Sequence, residues 1–259
     1  MSAPVARLAV RDVTVRFAGL TALEAVSFTV EPGTVHALIG PNGAGKSTCF
    51  NVLSGVYRAS CGSAEYAGHD LTRLPPHRIT ALGVARTFQN IVLTEGSVAE
   101  NLMLGRHRLT RASFTSTALR LPGAVREQRR HRERAAEIAE FLGLAPYFEQ
   151  PVGPLPYGVR KRVEIARALC AEPRLLLLDE PVAGMNPTER LAMAATVAAI
   201  RDCLGVSVLL VEHDMGMVMR LADAVTVLDF GRRIADGTPQ AVQRDEAVVR
   251  AYLGQEEPV

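Results

Sequence analysis

Cysteine is scarce in this 259-residue sequence and its spacing is uninformative. The four cysteines are scattered, and no two form a C-x-x-C pair. This usage argues against a disulfide framework and against a structural zinc site. We therefore expect reduced thiols in a cytosolic protein.

Long apolar runs and a strong charge of either sign are also missing. Runs such as LLLL at 175–178 are far shorter than the roughly 20 apolar residues that cross a bilayer, and the N-terminus MSAPVARLAVRDV has no apolar core of signal-peptide length. The net charge of +2 is too balanced to indicate a nucleic-acid partner. The composition is that of a soluble globular protein.

What is present is an alternation of strand and helix patterns. Helical spacing and loops, without a convincing strand, extend from about 97 to 172, and another helix is predicted at 188–204. Strands are predicted at 8–17, 25–33, 34–40, 174–180, 206–213 and 224–230. The pattern predicts an α/β protein with a mainly parallel sheet, an antiparallel β edge on its N-terminal side and an inserted helical subdomain.

The segment GPNGAGKST, residues 40–48, contains the strongest motif. It fits G-x-x-x-x-G-K-[ST] and lies between a predicted strand and a predicted helix. Glycines let backbone N–H groups approach phosphate closely, the lysine places a charge on the outer phosphates, and the serine hydroxyl can ligate Mg²⁺. We predict a P-loop NTPase core in which nucleotide contacts come from Gly40, Pro41, Asn42, Gly43, Ala44, Gly45, Lys46, Ser47 and Thr48.

The segment LLLLDEP, residues 175–181, can supply the second half of an NTPase site. Asp179 and Glu180 follow a buried strand pattern. Asp179 is predicted to hold Mg²⁺, and Glu180 to orient or deprotonate the attacking water. A polar strand end before Pro181 is the simpler alternative, which the phosphate loop makes unattractive.

A second glycine-bearing loop opens a basic amphipathic helix in LPYGVRKRVEIARAL, residues 155–169. The N-terminus of a helix favours anions. The residues predicted on one face of this helix are Val159, Val163, Ala166 and Cys170.

These three segments and VEHD at 211–214 resemble, in order and spacing, the ATP-binding-cassette (ABC) ATPases over essentially the whole chain. The resemblance implies ATP and Mg²⁺ as ligands, and Lys46, Glu180 and His213 as catalytic residues, His213 being the switch histidine that contacts the γ-phosphate. It also implies that Gln89 ligates Mg²⁺ and senses the membrane partner, and that Phe17 stacks on adenine. A D-loop is implied at Ala183, Gly184, Met185 and Asn186.

In ABC ATPases two cassettes enclose two ATP molecules, and the signature loop of each caps the nucleotide of the other. The resemblance gives this role to Leu155, Pro156, Tyr157, Gly158 and Val159. The usual family wording is Leu-Ser-Gly-Gly-Gln, so Pro156 and Val159 replace a hydroxyl and an amide. One lost hydrogen bond to a charged group is worth about 1.5–3 kcal/mol, so we expect capping that is weakened but retained.

Four features are similar to the ATPases of branched-chain amino acid importers: LPYG, ARTFQNIVL at 85–93, the long insertion before the signature and the ending AVVRAYLG at 247–254. The length of the insertion is similar to that of the longer of the two ATPase subunits in these systems. The resemblance implies a peripheral protein on the cytoplasmic face of the membrane. Its implied partners are two permeases, a second ABC ATPase in a homo- or heterodimer, and an extracytoplasmic solute-binding protein. Alternatives are another transporter, including a lipid or lipopolysaccharide exporter, and a non-transport ABC ATPase.

We assign residues 1–259 to one ABC ATPase domain. Within it, 1–90 and 173–245 are predicted to form the nucleotide-binding core, 91–172 the helical subdomain with the signature loop, and 246–259 a C-terminal tail.

The stretch 107–134 is rich in arginine, with only Glu127 and Glu133 as acidic residues. Contact with anionic lipid headgroups is one interpretation, and a solvated helix with local ion pairs is the favoured one. LPG at 121–123 predicts a turn, which argues against one continuous helix.

Overall fold

The structure is a computed structural model that describes residues 6–87, 89, 91–113, 116, 119 and 121–253. The chain divides into two units, one of Met1–Arg86 with Arg174–Val259 and one of Thr87–Pro173. Within the described residues, every helix is too short or too polar to span a bilayer.

The first unit contains two β-sheets. The strands are β1 Leu8–Phe17, β2 Leu20–Val30, β3 Val35–Ile39, β4 Cys61–Tyr66, β5 His69–Asp70, β6 Val84–Arg86, β7 Leu175–Asp179, β8 Ser207–Val211, β9 Ala224–Asp229 and β10 Arg232–Gly237. A six-stranded sheet has the order β10-β9-β3-β8-β7-β6, parallel except for the β9–β10 pair, and a four-stranded antiparallel sheet has the order β2-β1-β4-β5.

Helices accompany the strands of the first unit, and further helices form the second unit. Those of the first unit are α1 Lys46–Leu53, α2 Pro76–Ala81, α6 Pro187–Leu204, α7 Met215–Leu221, α8 Pro239–Gln243 and α9 Glu246–Leu253, with a 3₁₀ turn at Leu71–Arg73. Those of the second are α3 Val98–Gly105, α4 Pro122–Phe141 and α5 Tyr157–Leu169, with 3₁₀ turns at His107–Leu109 and Ala145–Tyr147.

The central strands β3, β7 and β8 are buried at every position, as expected of parallel strands covered on both faces. Because they run parallel, their carboxyl ends meet at one edge of the sheet. Ligands of open α/β sheets bind outside this edge. The phosphate loop and Glu180 follow β3 and β7 directly, and His213 follows β8 after one intervening residue.

The second unit is helical. The Ser97 hydroxyl accepts a hydrogen bond from Glu100 N while the Glu100 carboxylate accepts one from Ser97 N, so a capping box begins α3. The predicted apolar face of α5 is confirmed, because Val159, Val163 and two further members of the face are buried.

Two local predictions are wrong. The turn at 121–123 does not form, because Pro122 and Gly123 are the first residues of α4. Proline is tolerated at this position, since the N–H groups of the first helical turn have no acceptor within the helix. The strand predicted at 25–33 begins at Leu20 and ends at Val30, since Pro32-Gly33 lies in the turn that follows. The sequence patterns also missed β4, β5, β6 and β10, whereas β1 and the helix α6 lie where they were predicted.

Candidate nucleotide-binding and hydrolysis site

Two glycines determine the course of the phosphate loop between β3 and α1. Gly40 has φ +148°, and a Cβ there would lie 2.0 Å from the carbonyl oxygen of Leu228. Gly45 has φ +100°, and its Cβ would lie 2.7 Å from the carbonyl oxygen of Ala22. No other residue fits either place, so the glycine pattern is a steric requirement of this loop.

The side chain of Lys46 lies within the loop. Its Nζ donates to the carbonyl oxygens of Gly40 at 2.6 Å and Pro41 at 2.8 Å, and the residue is only 8% exposed. Burial lowers the pKa of Lys46, and the negative charges of Glu180 and Asp179 act in the opposite direction. A cation is thereby held at the centre of a glycine-lined loop, an arrangement that suits the outer phosphates of a nucleotide.

The acidic pair lies at the end of β7. Asp179 is its last residue and is buried, and Glu180 is the next residue and half-buried. Glu180 N donates to the carbonyl oxygen of Val211 at 2.9 Å, which ties this position to the end of β8. Because both carboxylates act on the pKa of Lys46, the structure brings the predicted acids to the phosphate loop.

Arg86, at the end of β6, is a site residue that sequence analysis missed. Its Nη2 donates to Asp179 Oδ2 at 2.9 Å, and both side chains are at least nine-tenths buried. Its Nη1 donates to Asn51 Oδ1 at 2.7 Å and Ser54 Oγ at 2.8 Å, both on or next to α1. The guanidinium therefore links Asp179 to the helix that follows the phosphate loop. An arginine ending a buried strand was the only available signal.

Two of the three predicted Mg²⁺ ligands belong to the first unit. Ser47 is exposed in the first turn of α1, and Asp179 presents a carboxylate from β7. Hydroxyl and carboxylate oxygens suit a hard cation such as Mg²⁺. Gln89 belongs to the second unit, where its side chain is exposed and its carbonyl oxygen accepts from Lys161 Nζ at 2.9 Å. Its role as a ligand remains a prediction.

His213 follows β8 and has an exposed side chain, and the buried carboxylate before it holds its backbone. Glu212 Oε2 accepts from the N–H groups of His213 at 3.1 Å and Asp214 at 3.3 Å, and Oε1 accepts from Val182 N at 3.1 Å. Burial raises the pKa of Glu212, and these N–H donors lower it. Glu212 thus joins the loop after β7 to the loop after β8, a role that sequence analysis missed.

The predicted D-loop is fastened to the same region. Arg190 Nε donates to the carbonyl oxygen of Met185 at 2.9 Å, and its Nη1 donates to Asp214 Oδ2 at 2.7 Å. The Asn186 side chain accepts from Glu189 N and caps α6. The other two members are Ala183 and Gly184, and Ala183 N donates to the carbonyl oxygen of Glu180 at 3.2 Å.

Phe17 ends β1 and is 41% exposed. The ring of Tyr57, also exposed, lies edge-on to it with 5.1 Å between centroids. An exposed aromatic pair can receive a flat heterocycle, which suits the predicted stacking on adenine. Tyr57 is an addition that the sequence motifs did not indicate.

The predicted signature loop belongs to the second unit. Pro156 is the N-cap of α5 and provides no side-chain hydrogen bond, Tyr157 is the first helical residue and exposed, and Gly158 is half-buried. Leu155 and Val159 are buried. The loop exposes the start of a 13-residue helix that no side chain caps.

Comparison with known proteins agrees with this geometry. The family described as "ABC transporter" matches residues 23–183, and that described as "Branched-chain amino acid ATP-binding cassette transporter" matches residues 232–258. A crystal structure of a nucleotide-free ATP-binding cassette from an ABC transporter aligns with a TM-score of 0.84 and 31% identity, over 96% of this chain and 100% of that one.

Two curated relatives are similar to this chain over their whole length. The high-affinity branched-chain amino acid transport ATP-binding protein BraF of Pseudomonas aeruginosa is 41% identical over 98% of this chain and 100% of its own. LivG of Escherichia coli strain K12, which has the same descriptive name, is 38% identical over the same shares. The chain therefore belongs to the ABC transporter family, as one of its ATP-binding ATPase subunits.

Proposed function

We propose that this chain hydrolyses ATP to drive an ABC importer for branched-chain amino acids or related small amino acids and amides. The observation on which the proposal depends is the placement of buried Lys46 beside Asp179 and Glu180, at one edge of a parallel sheet. The cargo class is supported by the match at residues 232–258 and by the names of full-length relatives.

The chemistry follows from the residues at this edge. The backbone N–H groups of residues 42–48 and the Lys46 ammonium bind the β- and γ-phosphates. Ser47 and Asp179, with Gln89, would hold Mg²⁺, which when bound neutralises phosphate charge. Glu180 takes a proton from water while the water oxygen forms a bond to the γ-phosphorus. The bond between the γ-phosphorus and the oxygen that bridges it to the β-phosphorus breaks, which yields ADP and phosphate.

Two copies of the cassette, or this chain and a second ABC ATPase, enclose the nucleotides. In that sandwich the loop 155–159 of one subunit caps the ATP of the other, and His213 contacts the γ-phosphate. The cassettes lie on the cytoplasmic face of the membrane. Two transmembrane permeases convert their closing motion into transport across it. An extracytoplasmic solute-binding protein completes the importer.

Glu180→Gln tests the catalytic assignment. A neutral amide keeps the shape but accepts no proton, so we expect ATP binding to persist while kcat falls about 100-fold or more. Glu24→Gln, which removes an exposed carboxylate paired with Arg232 at 2.8 Å, is the matched control and should keep wild-type activity. Wild-type hydrolysis by Glu180→Gln in the native complex would remove Glu180 from this role.

The transport assignment needs a separate test. Affinity purification from detergent-solubilised native membranes should recover two permeases and a second, shorter ATPase. Uptake of radiolabelled leucine should fall when the gene is deleted and return with the wild-type gene but not with the Glu180→Gln gene. One permease pair with this ATPase alone would favour an exporter, and only soluble partners would contradict transport.

A further inference from the structure

Three arginines line one groove on the surface of the second unit. Arg126, Arg129 and Arg130, together with Gly123, surround a groove of about 300 Å³ along the first half of α4. Like charges around one groove repel each other, and an anion bound between them relieves the repulsion.

The positive charge of the whole chain is concentrated in this region. Residues 107–134 contain eight arginines and two glutamates, whereas the full chain has a net charge of only +2. Both glutamates are engaged. Glu127 accepts hydrogen bonds from Arg111 N at 2.9 Å and Ala112 N at 2.8 Å, and Glu133 lies 3.8 Å from Arg129, with both side chains in water.

The arginines of α4 fall into two groups. Arg132 bonds to Glu149, and Arg134 bonds to Glu137 at 2.6 Å. Within the described residues, by contrast, neither Arg126 nor Arg130 has a carboxylate within 4.0 Å. Arg126 donates to the carbonyl oxygen of Pro122, at 3.2 Å. Arg129 is paired with Glu133, so the positive charge of the groove comes from Arg126 and Arg130.

Exposed apolar side chains lie beside the groove. Leu121 is 48% exposed and Val125 is 49% exposed. Leu121, Val125 and Arg129 follow each other at intervals of four residues, so they form one row along α4. The opposite side of the helix packs inward through Ala135 and Ile138. Arginines next to exposed apolar residues on a helix are typical of surfaces that lie on membranes.

We propose that this surface, defined by Leu121, Val125, Arg126, Arg129 and Arg130 and here called the α4 arginine surface, binds the headgroups of anionic phospholipids at the bilayer. Guanidinium groups bond phosphate oxygens in pairs, and the two apolar side chains enter the headgroup boundary. Each arginine near an anionic membrane contributes roughly fivefold to affinity. The inference does not depend on which solute is transported.

Vesicle flotation of the full-length protein tests the proposal. The wild type should bind vesicles of phosphatidylglycerol and phosphatidylcholine and should not bind phosphatidylcholine alone. The Arg126→Gln/Arg130→Gln variant should bind roughly 25-fold more weakly. The control, Arg132→Gln/Arg134→Gln, removes the same charge from the same helix at arginines that are already paired, and should bind within about twofold of wild type. Equal losses in both variants, or no loss in either, would overturn the proposal.

A second comparison separates a lipid site from a site for free phosphate. Leu121→Ser/Val125→Ser should weaken vesicle binding several-fold, because the apolar contribution is lost while the arginines stay. Full vesicle binding by this variant, with release of the wild type by millimolar inorganic phosphate at constant ionic strength, would identify a soluble anion site and overturn the lipid assignment. ATP hydrolysis without vesicles should be unchanged in these variants, because none of the substituted residues belongs to the nucleotide site.

Discussion

Replacement of Arg86 by methionine tests the idea that a buried guanidinium keeps Asp179 in place. The change keeps most of the aliphatic volume but removes the guanidinium that donates to Asp179 Oδ2 at 2.9 Å. The Arg86 side chain is 10% exposed and that of Asp179 is 6% exposed. Breaking a buried ion pair by removing one member costs about 3–5 kcal/mol. Because Lys46 also acts electrostatically on Asp179, we expect a loss near the lower limit, about 3 kcal/mol in the free energy of unfolding.

The measurement is urea unfolding of the nucleotide-free protein followed by circular dichroism, since the chain has no tryptophan. Arg86→Met also loses bonds to Asn51 and Ser54, so a double-mutant cycle with Asp179→Asn isolates the ion pair. We expect the two changes together to cost about 2 kcal/mol less than their sum. Arg11→Met, at an exposed pair 3.6 Å from Glu65, should cost under about 1 kcal/mol. Strict additivity, or equal losses at Arg86 and Arg11, would refute the reasoning.

Two further predictions concern buried groups in or next to the six-stranded sheet. Burial lowers the pKa of His36 to about 4, against about 6.5 in the unfolded chain, so between these values only the unfolded state gains a proton. The His36 contribution should lower the free energy of unfolding by about 3 kcal/mol between pH 7 and pH 4, as measured by urea titration at each pH. The decrease should be smaller by about this amount in His36→Gln, and the control His77→Gln, at an exposed position, should show the same decrease as the wild type. A flat profile in the wild type would contradict this. Glu212→Gln replaces an acceptor by a donor against backbone N–H groups, so His213 loses its position. Steady-state kinetics should show kcat about tenfold lower with little change in KM, whereas a change in KM alone would contradict a positioning role.

The parts of the site that depend on local sequence could be predicted. The phosphate loop requires glycine where a Cβ would meet backbone, so its motif can be recognised without knowledge of the rest of the fold. The strands β3, β7 and β8 are short apolar runs because both faces are covered, and their polar ends mark the edge at which a ligand binds.

The parts that depend on pairing between distant segments could not. Arg86 pairs with Leu177 in the parallel β6–β7 ladder, and Asp179 lies two residues further on the same face. Only this register brings the two side chains together, and the motifs do not contain it. Similarly, β4 has the sequence CGSAEY, which has little strand preference of its own and is ordered by its pairing with β1.

Glu180 is the residue to which we assign water activation, and its backbone has φ +46°, the left-handed region that side chains other than glycine avoid. Such a conformation costs about 1 kcal/mol, which the surrounding hydrogen bonds must offset. Heat resistance and catalysis therefore make opposite demands on this position. A laboratory selection for thermal stability alone would favour glycine or asparagine at position 180. The selected protein would be more thermostable but would no longer hydrolyse ATP efficiently.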